Sequence, residues 1–284
     1  MMYMTSTSSL HVHGENTTHF IDADDNARYH IYFVFDGENE RMQGCDTSAM
    51  MFLKTRVAQL GTQLNAGVDP VLLLRPYEMI QSCFHQRISE EFRRDHPSST
   101  SACSYAGVIL DRQEMQLYII HLGNVRCMLY ENKQHTAKAH NLLVTKPHST
   151  QETKERRLCE ANGLTIIKKA CTPHTLYGSQ ITRIFGDNEG STLLSRARQV
   201  LGSSPDITVI DLAHHKKRSS ELSCLLATTT LFDQMSTEAI LRAKMLRSAT
   251  PEQLANMMAQ VISIQELTML KLKIGFLPPQ PPQA

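Results

Sequence analysis

The apolar run Ile31-Tyr32-Phe33-Val34-Phe35 stops at Asp36-Gly37-Glu38. Asp-Gly after such a run is a common turn. Glu38, Glu40 and Glu266, with Asp22, Asp24 and Asp25, carry the oxygen ligands that hard cations use, and a solvated surface is the simpler reading of each. His11 and His13 flank Val12 like ligands on one strand face, but zinc needs a third partner that the spacing does not supply. No Ser/His/Asp or Cys/His arrangement can be picked out, and no cysteine sits in a Cys-x5-Arg phosphate loop.

The chain of 284 residues is long for one domain but within the range of large single-domain folds. With 41% hydrophobic and 20% charged residues it has the composition of a globular protein. A net charge of +1 gives no argument for nucleic acid or an acidic partner. Seven scattered cysteines without a CxxC pair argue against a secreted disulfide framework, and Met1 to Leu10 lack the apolar core of a signal peptide. No apolar run is long enough to span a bilayer. The expectation is a reduced, cytoplasmic location, with the nucleus open as an alternative.

The positioning elements follow from periodicity. Ile31 to Phe35 reads as a buried strand ending at Asp36-Gly37. Leu53, Val57, Leu60 and Leu64 recur at helical spacing, as do Tyr77, Ile80, Phe84, Ile88 and Phe92. Ser104 to Asp111, Gln116 to Leu122 and Arg126 to Tyr130 are strand-like, and the short turns between them predict antiparallel hairpins. Ser149 with Glu152 predicts a capping box before a helix that stops at Asn162-Gly163; Thr250 with Gln253 predicts another. The basic run His214 to Arg218 lies between strand-like segments and reads as a solvated hairpin loop, with a docking patch as the alternative. Thr268 to Ile274 alternates as a last strand with one wet face. Pro278 to Pro282 reads as a disordered end or, less simply, a polyproline ligand. Together these give an α+β layered domain over residues 9–275, with a flexible 1–8 and a Pro-rich tail at 276–284.

Several of these segments also resemble, in order, those of the metal-dependent Ser/Thr phosphatases of the PP2C (PPM) family. Phe33 to Glu38 resembles FxVFDGHGG, and Gln116 to Leu129 resembles LYVANVGDSRAVL. Leu143 to Gly163 is similar to LTxDHKP…ExxRIxxxGG, and Gln180 to Asp187 to LAVSRAFGD. Pro205 to Leu212 resembles EPDVxxxxL, and Ala227 to Asp233 resembles ASDGLWD. The resemblance implies an α-β-β-α sandwich: two antiparallel sheets flanked by helical hairpins, with a two-metal site at one end.

It also implies where that site has changed. The bridging Asp and the Gly carbonyl of the family pattern fall on Asp36 and Gly37, and the following His on Glu38. The second metal-binding Asp falls on Thr229, the third on Gln265, and the Asp of VGDSR on Asn124. Aligning RxxMED from Gly14 puts Asn16 at the phosphate-binding Arg and Phe20-Ile21 over Glu-Asp. Two dications roughly 4 Å apart need several carboxylates. The expectation is therefore no catalytic residue and no cofactor beyond one weakly bound Mg or Mn at Asp36 and Gly37. Asn16, Glu38, Asn124, Thr229 and Gln265 mark vestigial positions. The implied function is a pseudophosphatase that binds a protein partner, a kinase or a phosphoprotein, with no nucleic acid and no membrane. The alternative is a divergent Mn/Mg-dependent phosphatase with a reduced metal site.

Overall fold

The computed structural model describes residues 2–12, 17–22, 24, 27–38, 47–67, 75–132, 139–168, 175–177, 179–190, 192–213, 221–242 and 267–276. In chain order β1 (Met2–Val12), β2 (Thr17–Asp22) and β3 (Tyr29–Glu38) precede helix α1 (Ser48–Asn65). Then come α2 (Pro76–Ser82), a π turn (Cys83–Arg87) and α3 (Ile88–Asp95). Strands β4 (Ala102–Asp111), β5 (Gln116–Leu122), β6 (Arg126–Asn132) and β7 (Ala139–Val144) lead to α4 (Thr153–Ala161). The short strands β8 (Ile166–Ile167), β9 (Thr175–Leu176) and β10 (Phe185–Gly186) precede α5 (Leu193–Leu201). Last come β11 (Asp206–Asp211), β12 (Glu221–Ala227), α6 (Thr229–Gln234), α7 (Thr237–Arg242) and β13 (Leu267–Phe276).

Two antiparallel sheets stack face to face. One runs β1-β13-β12-β6-β7; the other runs β11-β5-β4-β3-β2, with β10 on β4. Side-chain alternation decides what each face meets. From β3, Tyr32 and Val34 join Val108, Ile119, Leu129, Leu226 and Leu272 in a core between the sheets. The other face, Ile31, Phe33 and Phe35, packs on Leu53, Val57 and Leu60 of α1 and on Phe84 and Phe92. Both faces of β3 are thus buried, which is why its sequence is a continuous apolar run rather than an alternation. The Phe33 ring lies over its register partner Gly107, where an added Cβ would come within 2.3 Å of the ring.

Ile80, Phe84, Ile88 and Phe92 are all buried against that sheet, whereas Tyr77 at the head of the row is 37% exposed. A four-residue repeat over twelve residues would drift by ~120° around an ideal α-helix. The π turn at Cys83–Arg87 absorbs the drift and keeps the row on one face.

The structure departs from the sequence-based expectations at several places. β3 continues through Asp36 and Gly37, which pair with Ser104 and Cys103, so Asp36-Gly37 is strand and not turn. β4 and β5 form a hairpin, but β5 and β6 lie in different sheets, and Gly123-Asn124-Val125 is a crossover between them. β11 and β12 are likewise in different sheets, so the segment carrying His214 to Arg218 is not a hairpin loop; residues 214–218 lie outside the described ones. α4 starts at Thr153 with Glu152 as N-cap, while the Ser149 hydroxyl accepts from the Gln151 N–H (3.2 Å). Its stop at Asn162 and Gly163 (φ 71°) is as expected.

β1 begins at Met2 and pairs with β13 along its length, so residues 2–8 are strand and not a flexible end. Met269 and Lys271 are 3% and 7% exposed, so the second face of β13 is not wet. Helix α7 contacts β7, the edge strand of the same sheet. Thr250, Gln253 and the Pro-rich tail from 277 onward lie outside the described residues. No described helix is long and apolar enough to cross a membrane.

Candidate functional site

Strand register collects the chemically marked residues at one rim of the sandwich. Asp36 pairs with Thr17 of β2 on one side and Ser104 of β4 on the other. The Ser104 hydroxyl accepts a long hydrogen bond from the Asn124 N–H (3.4 Å), joining the Asp36 rung to the crossover. In the other sheet Ala227 pairs with both Arg126 and Met269, and Asn124 and Thr229 each lie two residues beyond that rung. Val12 pairs with Leu267, so β1 ends and β13 begins at the same rim. Asp36, Gly37, Asn124 and Thr229 therefore share one end of the fold. Asn16 and Gln265 lie outside the described residues, as do Glu40, Glu266, His13 and the side chains of Glu38 and His11.

Phe20 and Ile21 sit elsewhere. They pair with Phe33 and Tyr32, three and four rungs from Asp36, and Phe20 packs on the helix-side core. At ~3.3 Å per residue this is about 10 Å from the rung of Asp36. The residue opposite Asp36 in β2 is Thr17, an uncharged residue type.

At the far side of the rim Thr229 opens α6, and its hydroxyl donates to Asp233 one turn on (3.3 Å). Asp233 also faces the Arg126 guanidinium at 3.9 Å, and Arg126 stacks over the Phe232 ring with 5.0 Å to its centroid. Burial lowers the pKa of Arg126, opposed by the Asp233 charge. Asp233 is the acidic residue that sequence reasoning passed over. It belongs to the quoted Ala227–Asp233 segment, and only the helical i,i+4 spacing from Thr229 signals its place at the rim.

Mg and Mn are the ions that the rim's oxygen chemistry would suit. Among the described side chains the rim carries the carboxylates Asp36 and Asp233, and Asp233 is already engaged by a guanidinium and a hydroxyl. Neutral Asn124 and Thr229 complete the set, with the Asn124 side-chain oxygen buried and without a hydrogen-bond partner. A pair of dications needs more negative charge than this, so the set does not fit two divalent ions.

A second polar cluster lies behind the crossover. The Arg183 guanidinium clamps the Glu155 carboxylate through Nε (3.1 Å) and an Nη (2.7 Å) and donates to the Ser204 carbonyl (2.8 Å); the Thr182 hydroxyl donates to the same carboxylate (2.6 Å). Burial alone would raise the Glu155 pKa, but Arg183 and Thr182 hold it below the usual carboxylate range. Asp187 accepts from Ser195 (2.6 Å) and pairs with Arg198 at 3.3 Å. The Thr182-Arg183 and Gly186-Asp187 motif thus serves to tie α4, α5 and β10 together.

His121, His148 and Asp206 gather beside it, with ligand atoms within 4.8 Å of one another. The geometry speaks against a metal. His148 Nδ1 accepts the Gly123 N–H (3.1 Å), so its neutral ring carries the proton on Nε2, the atom facing Asp206 Oδ2 at 3.6 Å. Asp206 is already met by Lys154 (2.9 Å) and Arg183 (3.3 Å). The His148 N–H, with Lys154 and Arg183, holds the Asp206 carboxyl far below its usual range.

The family model described as protein phosphatase 2C matches residues 5–262. A search of curated proteins finds no match. Among solved structures, a C. elegans sex determining protein is similar with a TM-score of 0.66 at 11% identity, over 96% of this chain and 64% of that one. The chain thus spans less than two thirds of the worm protein. The S. agalactiae serine/threonine phosphatase is similar with a TM-score of 0.58 at 15% identity, over 96% and 99% of the two chains. The Mycobacterium tuberculosis serine/threonine phosphatase gives 0.54 at 16%, over 97% and 98%. These identities speak for the fold. With a family model spanning nearly the whole sequence and the same layered sheets, this chain belongs to the protein phosphatase 2C family.

Proposed function

We propose that this protein is a pseudophosphatase: a PP2C-fold protein that works as a protein-binding or regulatory module in phosphorylation signalling, through a kinase or phosphoprotein partner in the cytoplasm. The observation that carries the reading is the start of α6. Where the family pattern has a metal-binding Asp, Thr229 is a helix residue whose hydroxyl donates to Asp233, and Arg126 places a cation beside them. Asn124 brings no charge either, so the described residues of the rim supply little of the negative charge that would draw two dications together. Weak binding of one Mg or Mn at Asp36 and Gly37 is compatible with this reading, because a single carboxylate and a carbonyl can hold one hydrated ion loosely.

Thermal melts test it. Ligand binding to the folded state raises the melting temperature by mass action, so weak or absent binding leaves it within about a degree in millimolar Mn. The double variant Thr229→Asp with Gln265→Asp should be less stable in chelator, because carboxylates gather without a counter-ion, and should regain a metal-dependent rise. A large rise in the unmodified protein would favour the divergent Mn/Mg-dependent phosphatase instead.

A further inference from the structure

Gly123 and His148 hold one another through two hydrogen bonds. The His148 backbone N–H donates to the Gly123 carbonyl (2.8 Å), and the Gly123 N–H donates to His148 Nδ1 (3.1 Å). Gly123 has φ +82°, and a Cβ there would lie 2.0 Å from the Ser104 hydroxyl, so the crossover is wedged between Ser104 and His148. On its other flank the His148 carbonyl accepts from the Thr182 N–H (3.0 Å). The His121 ring lies 4.5 Å from that of His148 and fixes its own tautomer by donating from Nε2 to the Lys146 carbonyl (2.7 Å). Both rings are buried, at 4% and 1% exposure.

We propose that His148, backed by His121, is a proton-sensitive latch on the β5–β6 crossover. With both rings neutral, Nδ1 of His148 holds Gly123 and so fixes Asn124 and the Ser104–Asp36 rung at the rim. A proton on His148 fills Nδ1 and makes it a second donor. Two N–H groups then face each other, the Gly123 contact is lost, and the crossover is released.

The groups facing the pair are Asp206 from β11, Lys154 and Glu155 from α4, and Arg183 from the segment before β10. Their charges cancel in pairs, so nothing near the rings calls for a further positive charge, and a protonated His148 would meet Arg183. Burial lowers the His148 pKa, against the pull of Asp206, and pushes His121 down to about 4 with help from His148. The folded latch therefore prefers neutral rings, and the opened crossover prefers charged ones. The latch is fully closed above the ordinary His value of ~6.5 and weakens as pH falls below it toward the lowered value of the buried His148 ring.

Hydrogen exchange of the crossover amides, compared at pH 7.5 and pH 5 after correction for intrinsic rates, tests this in the full chain. In the unmodified protein protection at residues 122–126 should fall about tenfold or more, since each pH unit below the His value adds that factor once the opened state binds a proton. His148→Asn keeps a side-chain oxygen to accept the Gly123 N–H but cannot titrate, so its protection should change little. Equal protection at both pH values, or the same loss in the variant, would overturn the latch. Should the variant not fold, the ring nitrogens of the unmodified protein decide. An unprotonated Nδ1 on His148 at neutral pH, with a midpoint below the ordinary ~6.5, supports the latch, and the opposite tautomer refutes it. A zinc-dependent rise in melting temperature that vanishes in His148→Asn would mean a metal site and would also refute it.

Discussion

At the scale of single residues, the rim is defined by what replaces charge. Thr229 and Asn124 offer neutral oxygens, and Arg126 brings a cation into contact with Asp233. The motif resemblance puts Thr229 and Asn124 where the family pattern has ligands, because the motifs around them are kept. Arg126 and Asp233 are equally visible as letters, but only the register that puts Arg126 opposite Ala227 shows that they meet. The Glu-Asp of the RxxMED pattern is the place where letters mislead: Phe20-Ile21 lies rungs away, and Thr17 stands opposite Asp36. Gly123 carries a residue-scale prediction. Its positive φ and its contact with Ser104 leave no room for a methyl group, so Gly123→Ala should destabilise the fold by about 1–3 kcal/mol. Adding Ser104→Gly removes the clashing hydroxyl and should relieve part of the loss. Urea denaturation of the single and double variants checks this; a neutral Gly123→Ala would mean that the crossover is not wedged as described.

At the scale of elements, hydrophobic periodicity was enough for α1, β3, β4 and the α2–α3 row, where one residue spacing maps onto one buried face. It could not tell a hairpin from a crossover, because the same short link joins β4 to β5 within a sheet and β5 to β6 between sheets. It also missed β1: Thr5-Ser6-Thr7-Ser8-Ser9 is polar and reads as a flexible end, yet β13 supplies its hydrogen-bond partners. Within β1, Met4 is 1% exposed and its carbonyl accepts from the Tyr32 hydroxyl (2.8 Å). Deleting residues 1–8 should therefore strip β13 of a neighbour and lower the melting temperature by several degrees, where removal of a loose end would leave it unchanged. The Arg183–Glu155 clamp offers a second test. Arg183→Ala leaves a buried carboxylate unpaired and should cost about 3–5 kcal/mol, whereas the double variant with Glu155→Ala should lose less than the sum of the two single losses. Strict additivity in that cycle would show that the clamp holds nothing.

At the scale of the whole molecule, two stacked sheets and an outer helical layer carry a rim whose described side chains supply less negative charge than a pair of dications needs. A core spread over every strand is robust to changes at strand ends, so the rim is free to vary without unfolding the sandwich. Four buried or half-buried groups, His121, His148, Glu155 and Asp206, all have lowered pKa values, and for each the sign is the same. The unfolded chain binds protons more readily than the folded one, so stability is present at neutral pH and is lost on acidification, first through the histidines below ~6.5 and then through the carboxylates. A melting temperature ~5 °C or more lower at pH 5 than at pH 7.5 is expected, and a flat profile across that window would contradict these assignments. The central claim, that this rim no longer performs metal-dependent hydrolysis, is tested most directly by assaying the purified protein on a phenyl phosphate with millimolar Mn or Mg, against Asp36→Ala prepared in parallel. The account predicts equal background rates for the two proteins, and a metal-dependent turnover that disappears in Asp36→Ala would contradict it.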